Sequence, residues 1–317
     1  DVVVGTHRLL GNKVAFQSFP RSGNTFLRKY FELLTGIETG ADNTLNFNIH
    51  LQMQGLKGED IVDDTVWIVK THSPWIMPQQ PLFYCNRTIC IIRSPIDVII
   101  SFLHLFTVCN HSQKAQFEYH ENYPVFWEWW VKMFTQRMAA WYRQLMFDAK
   151  MKKLPILFVR FEDLVLNPEP ELTNIMKFLL NVTDITGTNA ERRVKEVIAK
   201  GKDATVLYKL KDNTRQFFSN HGRYTKEQMA YIEHEMKDIM YYFGYAKIKE
   251  DPDNITGFHE YKVTDPKMAI TIEAAAMPDK VMERGFQDKL LRSVYACPNG
   301  IYRMSPEIAG LVQSSNN

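Results

Sequence analysis

Long apolar runs are what this sequence most lacks. No stretch of its 317 residues approaches the roughly 20 apolar residues that a membrane-spanning helix needs. The opening DVVVGTHRLL does not read as a signal peptide. The first residue is Asp1 rather than Met, so a targeting segment or membrane anchor, if the protein has one, is expected outside this sequence. A strong charge of either sign is missing as well. Thirty-eight Lys and Arg stand against 36 Asp and Glu, a formal net charge of +2. That excludes nucleic-acid binding by bulk electrostatics and requires any basic site to be local. Cysteine is scarce, with only Cys85, Cys90, Cys109 and Cys297, a number that fits two disulfides or four free thiols equally well. There is no internal repeat and no low-complexity tract, so solenoid and disordered classes drop out.

What is present is an ordinary globular composition, 45% hydrophobic and 23% charged, in a chain long enough to bury a full core. Four apolar, mostly β-branched runs stand out: KVAFQSF (13–19), TVWIVK (65–70), TICIIR (88–93) and PILFVR (155–160). None alternates cleanly, which is how strands buried on both faces of a parallel sheet read. Helical patterns fall between and after them at 25–35, 95–106, 124–149, 169–180 and 225–244. Strands alternating with helices predict a doubly wound α/β fold. Thr25 is the expected cap of the first helix, which Gly36 closes. Ser94, Pro95 and Asp97 sign the start of the second. After residue 245 the chain turns polar and turn-rich (KIKEDPDNITG), so residues 1–245 are expected to form one domain and 246–317 a small C-terminal extension.

The stretch AFQSFPRSGNTFLRKYFELLTG (15–36) places a buried strand, a tight polar turn and a helix start in succession. Free backbone N–H groups and the positive end of a helix dipole make phosphate the natural guest there. Ser22 and Thr25 add hydroxyls, Gly23 allows close backbone approach, and Arg21 adds a permanently charged fork of donors. The plainer reading is an ordinary turn with a solvated arginine. A nucleotide-triphosphatase loop is excluded, since that requires G-x-x-x-x-G-K-[ST]. Two further strands end in chemistry. Lys70-Thr71-His72 puts a cation and an imidazole at the end of one. The other delivers Arg93, with Ser101 eight residues on. Taken singly, His72 reads equally as a structural histidine and Ser101 as a packing residue.

Together these stretches resemble the sulfotransferase family, which uses 3′-phosphoadenosine 5′-phosphosulfate as sulfuryl donor. SFPRSGNTFLR resembles the family's 5′-phosphosulfate loop and KTHSP the segment that bears its base. IIRSPIDVIISFLHLF resembles the 3′-phosphate segment, and LFVRFEDL the strand and loop usually written Y-E-D. The tryptophan-rich VFWEWWVKMFTQRMAAWYRQL is also similar to a helix of relatives. The Arg-Ser-Gly-Asn-Thr form of the loop is closer to Golgi-type and WSC-domain-associated members than to the classical cytosolic enzymes. The resemblance covers residues 13 to 245. It implies His72 as general base, with Arg21 and Lys70 meeting the charge of the leaving phosphate. It further implies Ser22, Gly23, Asn24 and Thr25 around the 5′-phosphate, Arg93 and Ser101 on the 3′-phosphate, and Phe26 and Phe161 near the nucleotide. No metal is implied; His104, Cys109 and His111 lack any ligand spacing.

The sequence departs from the family in three places. Arg21 stands where Lys is common, and Phe161 where Tyr is usual. The late Gly-Asp-Trp-Lys segment is replaced by KDNTRQFFSNHGRYT (211–225), leaving Arg215 or Lys211 as the nearest cations for the 3′-phosphate. This erosion keeps a second reading open, a non-catalytic sulfotransferase-fold protein serving as a structural or binding subunit. Such a role would use the 246–317 extension for a protein partner. The acceptor has no readable signature, and nucleic acid is not expected among the partners. Sequons at Asn86, Asn110, Asn181 and Asn254 tilt the expected compartment toward a Golgi or secretory lumen. In such a lumen Cys109 and Cys297 are expected to bond, with glycan on at least one sequon; otherwise all four thiols are expected free and the chain bare.

Overall fold

The computed structural model describes residues 13–42, 51–52, 55–74, 83–108, 117–151, 154–200 and 220–245. They form two compact units, the first holding residues up to 93 and 146–200, the second 94–145 and 220–245. The expected boundary after 245 and the extension 246–317 lie outside the described residues, as do Cys109, Cys297 and Arg215. Cys90, in the described part of the chain, is a buried free thiol.

The first unit contains the strands β1 (Lys13–Ser18), β2 (Gly40–Ala41), β3 (Gly58–Glu59), β4 (Ile68–Thr71), β5 (Cys85–Ile92) and β6 (Ile156–Arg160). They make one six-stranded sheet in the order β3-β2-β4-β1-β5-β6, with every neighbouring pair parallel. All four expected runs are strands, and their residues are buried on both faces: Val14, Phe16, Val69, Ile89, Ile91 and Val159 are at most 1% exposed. The chain leaves β1 toward β2, β3 and β4 on one side, then crosses to β5 and β6 on the other. This reversal beside the central strand is the switch point at which open parallel sheets bind ligands, beyond the strands' carboxyl ends.

The same unit holds α1 (Asn24–Thr35), and after β6 the helices α5 (Phe161–Leu166), α6 (Pro168–Leu180) and α7 (Asn189–Lys200). The second holds α2 (Pro95–Val108), α3 (Tyr119–Asn122), most of α4 (Pro124–Met151) and α8 (Lys226–Tyr242). Its core forms around Trp130, whose indole N–H donates to Ile99 O at 3.1 Å. The rings of Phe102, Phe106, Phe126 and Phe134 lie 5.0–6.2 Å from that indole. Helix α8 opens on a capping box in which Thr225 and Gln228 exchange side-chain-to-backbone bonds of 3.0 and 3.2 Å.

One expected cap is wrong. Helix α1 begins at Asn24, its cap is Gly23 rather than Thr25, and no side chain caps it. Gly36 closes the helix as expected, its N–H bonded to Glu32 O at 2.9 Å. A buried ion pair fixes α1 to the sheet edge. Arg28, fully buried, bonds the Glu59 carboxylate of β3, and its other nitrogens donate to Thr39 Oγ1 (2.9 Å) and Thr39 O (3.0 Å). Removing Arg28 leaves the buried Glu59 carboxylate without its bonded partner, whereas removing both does not. Arg28→Met is therefore expected to cost about 3–5 kcal/mol, and Arg28→Met with Glu59→Leu to recover most of it. Urea denaturation of both variants decides; a double variant as unstable as the single one contradicts the assignment.

Candidate functional site

The turn between β1 and α1 is built from two left-handed residues. Arg21 has φ 73° and Gly23 φ 97°, with Ser22 between them. Ser22 N–H bonds back to Phe19 O at 3.2 Å, and the first helical bond closes from Leu27 N–H to Gly23 O at 3.1 Å. Because no side chain caps α1, the N–H groups of its first turn keep their capacity for an anion. Curved backbone of this kind forms the concave nests that hold phosphates.

Gly23 is required by a different neighbour from the one its sequence context indicated. A Cβ there would lie 2.4 and 2.9 Å from two carbons of the Phe161 ring. That ring begins α5 directly after β6. It also carries the Arg93 guanidinium, centred 4.8 Å from it, and meets Phe26 edge-on at 5.7 Å. Arg93 in turn donates from Nη1 to Arg21 O at 3.3 Å. The ends of β1, β5 and β6 thus converge through one ring and one arginine. Phe26 and Phe161 are both buried, so at this site they form the wall that holds the loop. Three polar atoms of the cluster are buried without a partner among the described residues: Ser22 Oγ, Asn24 Oδ1 and Arg93 Nε. Native folds satisfy such groups with water or ligand. Asn24 uses its amide instead, donating to Ser18 Oγ at 3.0 Å.

His72 follows β4 and is half-buried. Its Nδ1 lies 2.8 Å from Ser18 O. A carbonyl only accepts, so Nδ1 carries the proton and Nε2 is the basic nitrogen. Burial, then the charge of Lys70, hold the imidazole down to about 3, against the opposing bond to Ser18. It is neutral through the physiological range. Burial also lowers the Lys70 ammonium to about 8, with Glu59 and Asp42 opposing and Arg28 adding to the effect.

Asp42, Glu59 and Arg28 had no functional reading in the sequence, where nothing marks them as neighbours of Lys70. Asp42 is level with Thr71 across β2 and β4, its N–H bonded to Lys70 O at 3.1 Å. Burial raises its carboxyl to about 6, against a hydrogen bond from Thr71 and the charge of Lys70. Thr71 Oγ1 also accepts from Ser73 N–H at 2.9 Å, tying down the turn that carries His72.

Thr25 is half-buried in the first turn of α1. Ser101 is half-buried on α2 in the second unit. Of the late segment, residues 220–225 are described. Asn220 bonds Asp97 at 2.7 Å, Arg223 pairs with Glu118 at 2.6 Å, and Tyr224 Oη donates to Ile96 O at 2.6 Å. Residues 211–219 lie outside the described set. His104 is buried against Tyr119, with ring centroids 5.8 Å apart; Cys109 and His111 are not described. Among the described residues no group of three or more His, Cys, Asp and Glu side chains is placed to hold a metal.

A family model described as "Sulfotransferase domain" matches residues 12–199. A WSCD family member of Aedes aegypti is 30% identical over 165 residues, 52% of this chain and 49% of the relative. Sulfotransferase 1A1 of Mus musculus is 26% identical over 117 residues, 35% of this chain and 37% of the relative. The chain spans about half the length of the WSCD relatives it matches. Among solved structures, mouse sulfotransferase SULT7A1 complexed with PAP is similar at 14% identity and a TM-score of 0.40, over 80% of this chain and 89% of that one. With the family model spanning the strands, the loop and His72, and WSCD proteins among its relatives, the chain belongs to the sulfotransferase domain family.

Proposed function

We propose that the protein moves a sulfuryl group from 3′-phosphoadenosine 5′-phosphosulfate to an acceptor hydroxyl or amine. The observation that carries this reading is a meeting of three features at one sheet end: an uncapped helix start, the buried Ser22 hydroxyl and a neutral His72. Ser22 Oγ and the first-turn N–H groups of α1 fit a phosphate without losing any protein partner. Arg93 Nε offers a second donor at the end of β5.

When bound, the donor supplies an activated sulfuryl group and leaves as a nucleotide bisphosphate. Arg21, Ser22, Gly23, Asn24 and Thr25 are assigned to its 5′-phosphate, and Lys70 to the charge that grows on the leaving oxygen. Arg93 and Ser101 are assigned to the 3′-phosphate, with Arg215 as a further cation. Phe26 and Phe161 keep Gly23 and Arg93 in place. His72 Nε2 takes the acceptor's proton as the acceptor oxygen or nitrogen bonds to sulfur and the bond from sulfur to the 5′-phosphate breaks. Negative charge on bound phosphates favours the protonated imidazole and so strengthens this base. The acceptor is a small molecule, glycan or protein side chain.

The first test is selectivity. A thermal-shift titration is expected to show 3′,5′-adenosine bisphosphate binding more tightly than 5′-AMP or ATP. Loss of one charge-assisted contact costs about 1.5–3 kcal/mol, so Arg93→Ala should weaken the bisphosphate roughly tenfold or more. Equal affinity for 5′-AMP and the bisphosphate overturns the 3′-phosphate assignment.

The second test is chemical. His72→Ala is expected to keep the bisphosphate affinity while slowing sulfuryl transfer, read across a panel of hydroxyl and amine acceptors, by about 10²–10⁴. Unchanged turnover would return His72 to a structural role. Binding without turnover in the wild type would favour the non-catalytic subunit.

A further inference from the structure

The amino end of the sheet lies away from the phosphate loop. Strand β5 starts there, its Cys85 level with Lys13 at the start of β1. Two residues on, Arg87 reaches the C-terminus of α6. Its Nη1 donates to Phe178 O at 2.6 Å and Leu179 O at 3.1 Å, and its guanidinium lies 5.8 Å from the Phe178 ring centroid. This contact fixes the end of α6, where Leu180 and Val182 are 40% and 44% exposed, two of the six exposed large apolar side chains among the described residues. Scattered exposed apolar residues are ordinary, but these two flank a single exposed residue, Asn181.

A sequon begins between them. Asn181, between Leu180 and Val182, ends α6 in the left-handed conformation (φ 57°, ψ 46°) that asparagine tolerates, its N–H turned back to Lys177 O and Phe178 O. Asn181, Val182 and Thr183 are all exposed. The nearby sequon at Asn86 is placed differently. Asn86 is half-buried within β5, its Oδ1 accepts from Arg87 Nε at 3.4 Å, and Thr88 is fully buried. The other two sequons, Asn110 and Asn254, lie outside the described residues.

We propose that Asn181 carries an N-linked glycan that covers Leu180 and Val182, and that Asn86 carries none. In the modification the Asn181 amide nitrogen attacks the anomeric carbon of a lipid-diphosphate-linked oligosaccharide. A nitrogen–carbon bond forms, the bond from that carbon to the diphosphate oxygen breaks, the amide loses one proton, and the lipid diphosphate departs. The first sugars lay their C–H faces over the apolar side chains while their hydroxyls remain in water. Since this is the amino end of the strands, the glycan leaves the phosphate loop at the carboxyl end open. The inference is independent of the catalytic reading.

The test is peptide mapping of the protein isolated from the cells that make it, after peptide-N-glycosidase digestion in ¹⁸O water. A heavy-oxygen Asp at position 181 and an unmodified Asn86 are expected. An unmodified Asn181, or a label at 86, overturns the proposal and leaves the two side chains to a protein partner. Asn181→Gln and Thr183→Ala, made in a glycosylating secretory host, are both expected to lose the glycan and to bind an apolar dye more strongly than the wild type. Leu180→Ser added to Asn181→Gln is expected to reverse that gain. Dye binding that is the same with and without the glycan contradicts the covering role.

Discussion

The candidate site depends on the packing of one aromatic ring. Phe161 stands at the end of β6 and fills the space where any residue but glycine at position 23 would place its Cβ. It thereby fixes the turn that starts α1, and the same ring supports the Arg93 guanidinium, which bonds the carbonyl of Arg21. Three strand ends are held together by contacts that leave no room for a larger residue at position 23. A hydroxyl on this ring, the tyrosine usual in the family, is not needed for that role.

Around this frame the charges are arranged so that two cations stay inside the fold. Arg28 and Lys70 are both buried, and the carboxylates of Glu59 and Asp42 lie beside them. Without those partners the cost of burying an ammonium would drive Lys70 to its neutral form. With them it keeps its proton at neutral pH while its own charge, together with burial, keeps His72 neutral. One group is left as a cation and its neighbour as a base, from two residues separated by a single threonine. That division suits the proposed transfer of a sulfuryl group with loss of the acceptor's proton.

The sheet was legible in the sequence because its four long strands are apolar on both faces, a pattern that survives without any tertiary information. Strands β2 and β3 were not, since two residues carry no period, and neither was α5, whose six residues follow β6 without a break. The loop at 20–25 was legible from its order of polar residues, but its geometry was not. A threonine beside a helix start is the default cap, and only the Phe161 contact shows why the cap stands two residues earlier, at Gly23, with no side-chain bond. His72, Lys70 and Arg93 were visible because strands deliver them. Asp42 and Glu59 were hidden because a carboxylate's role depends on which cation the fold brings to it, here across strands far apart in sequence.

The most direct measurement of the account is a crystal structure with 3′,5′-adenosine bisphosphate. The account predicts the 5′-phosphate inside the turn, within hydrogen-bond distance of Ser22 Oγ and the first N–H groups of α1, with His72 Nε2 facing the position the sulfuryl group would occupy. A bisphosphate seated elsewhere, with the turn left empty and Ser22 Oγ met by water alone, would contradict it.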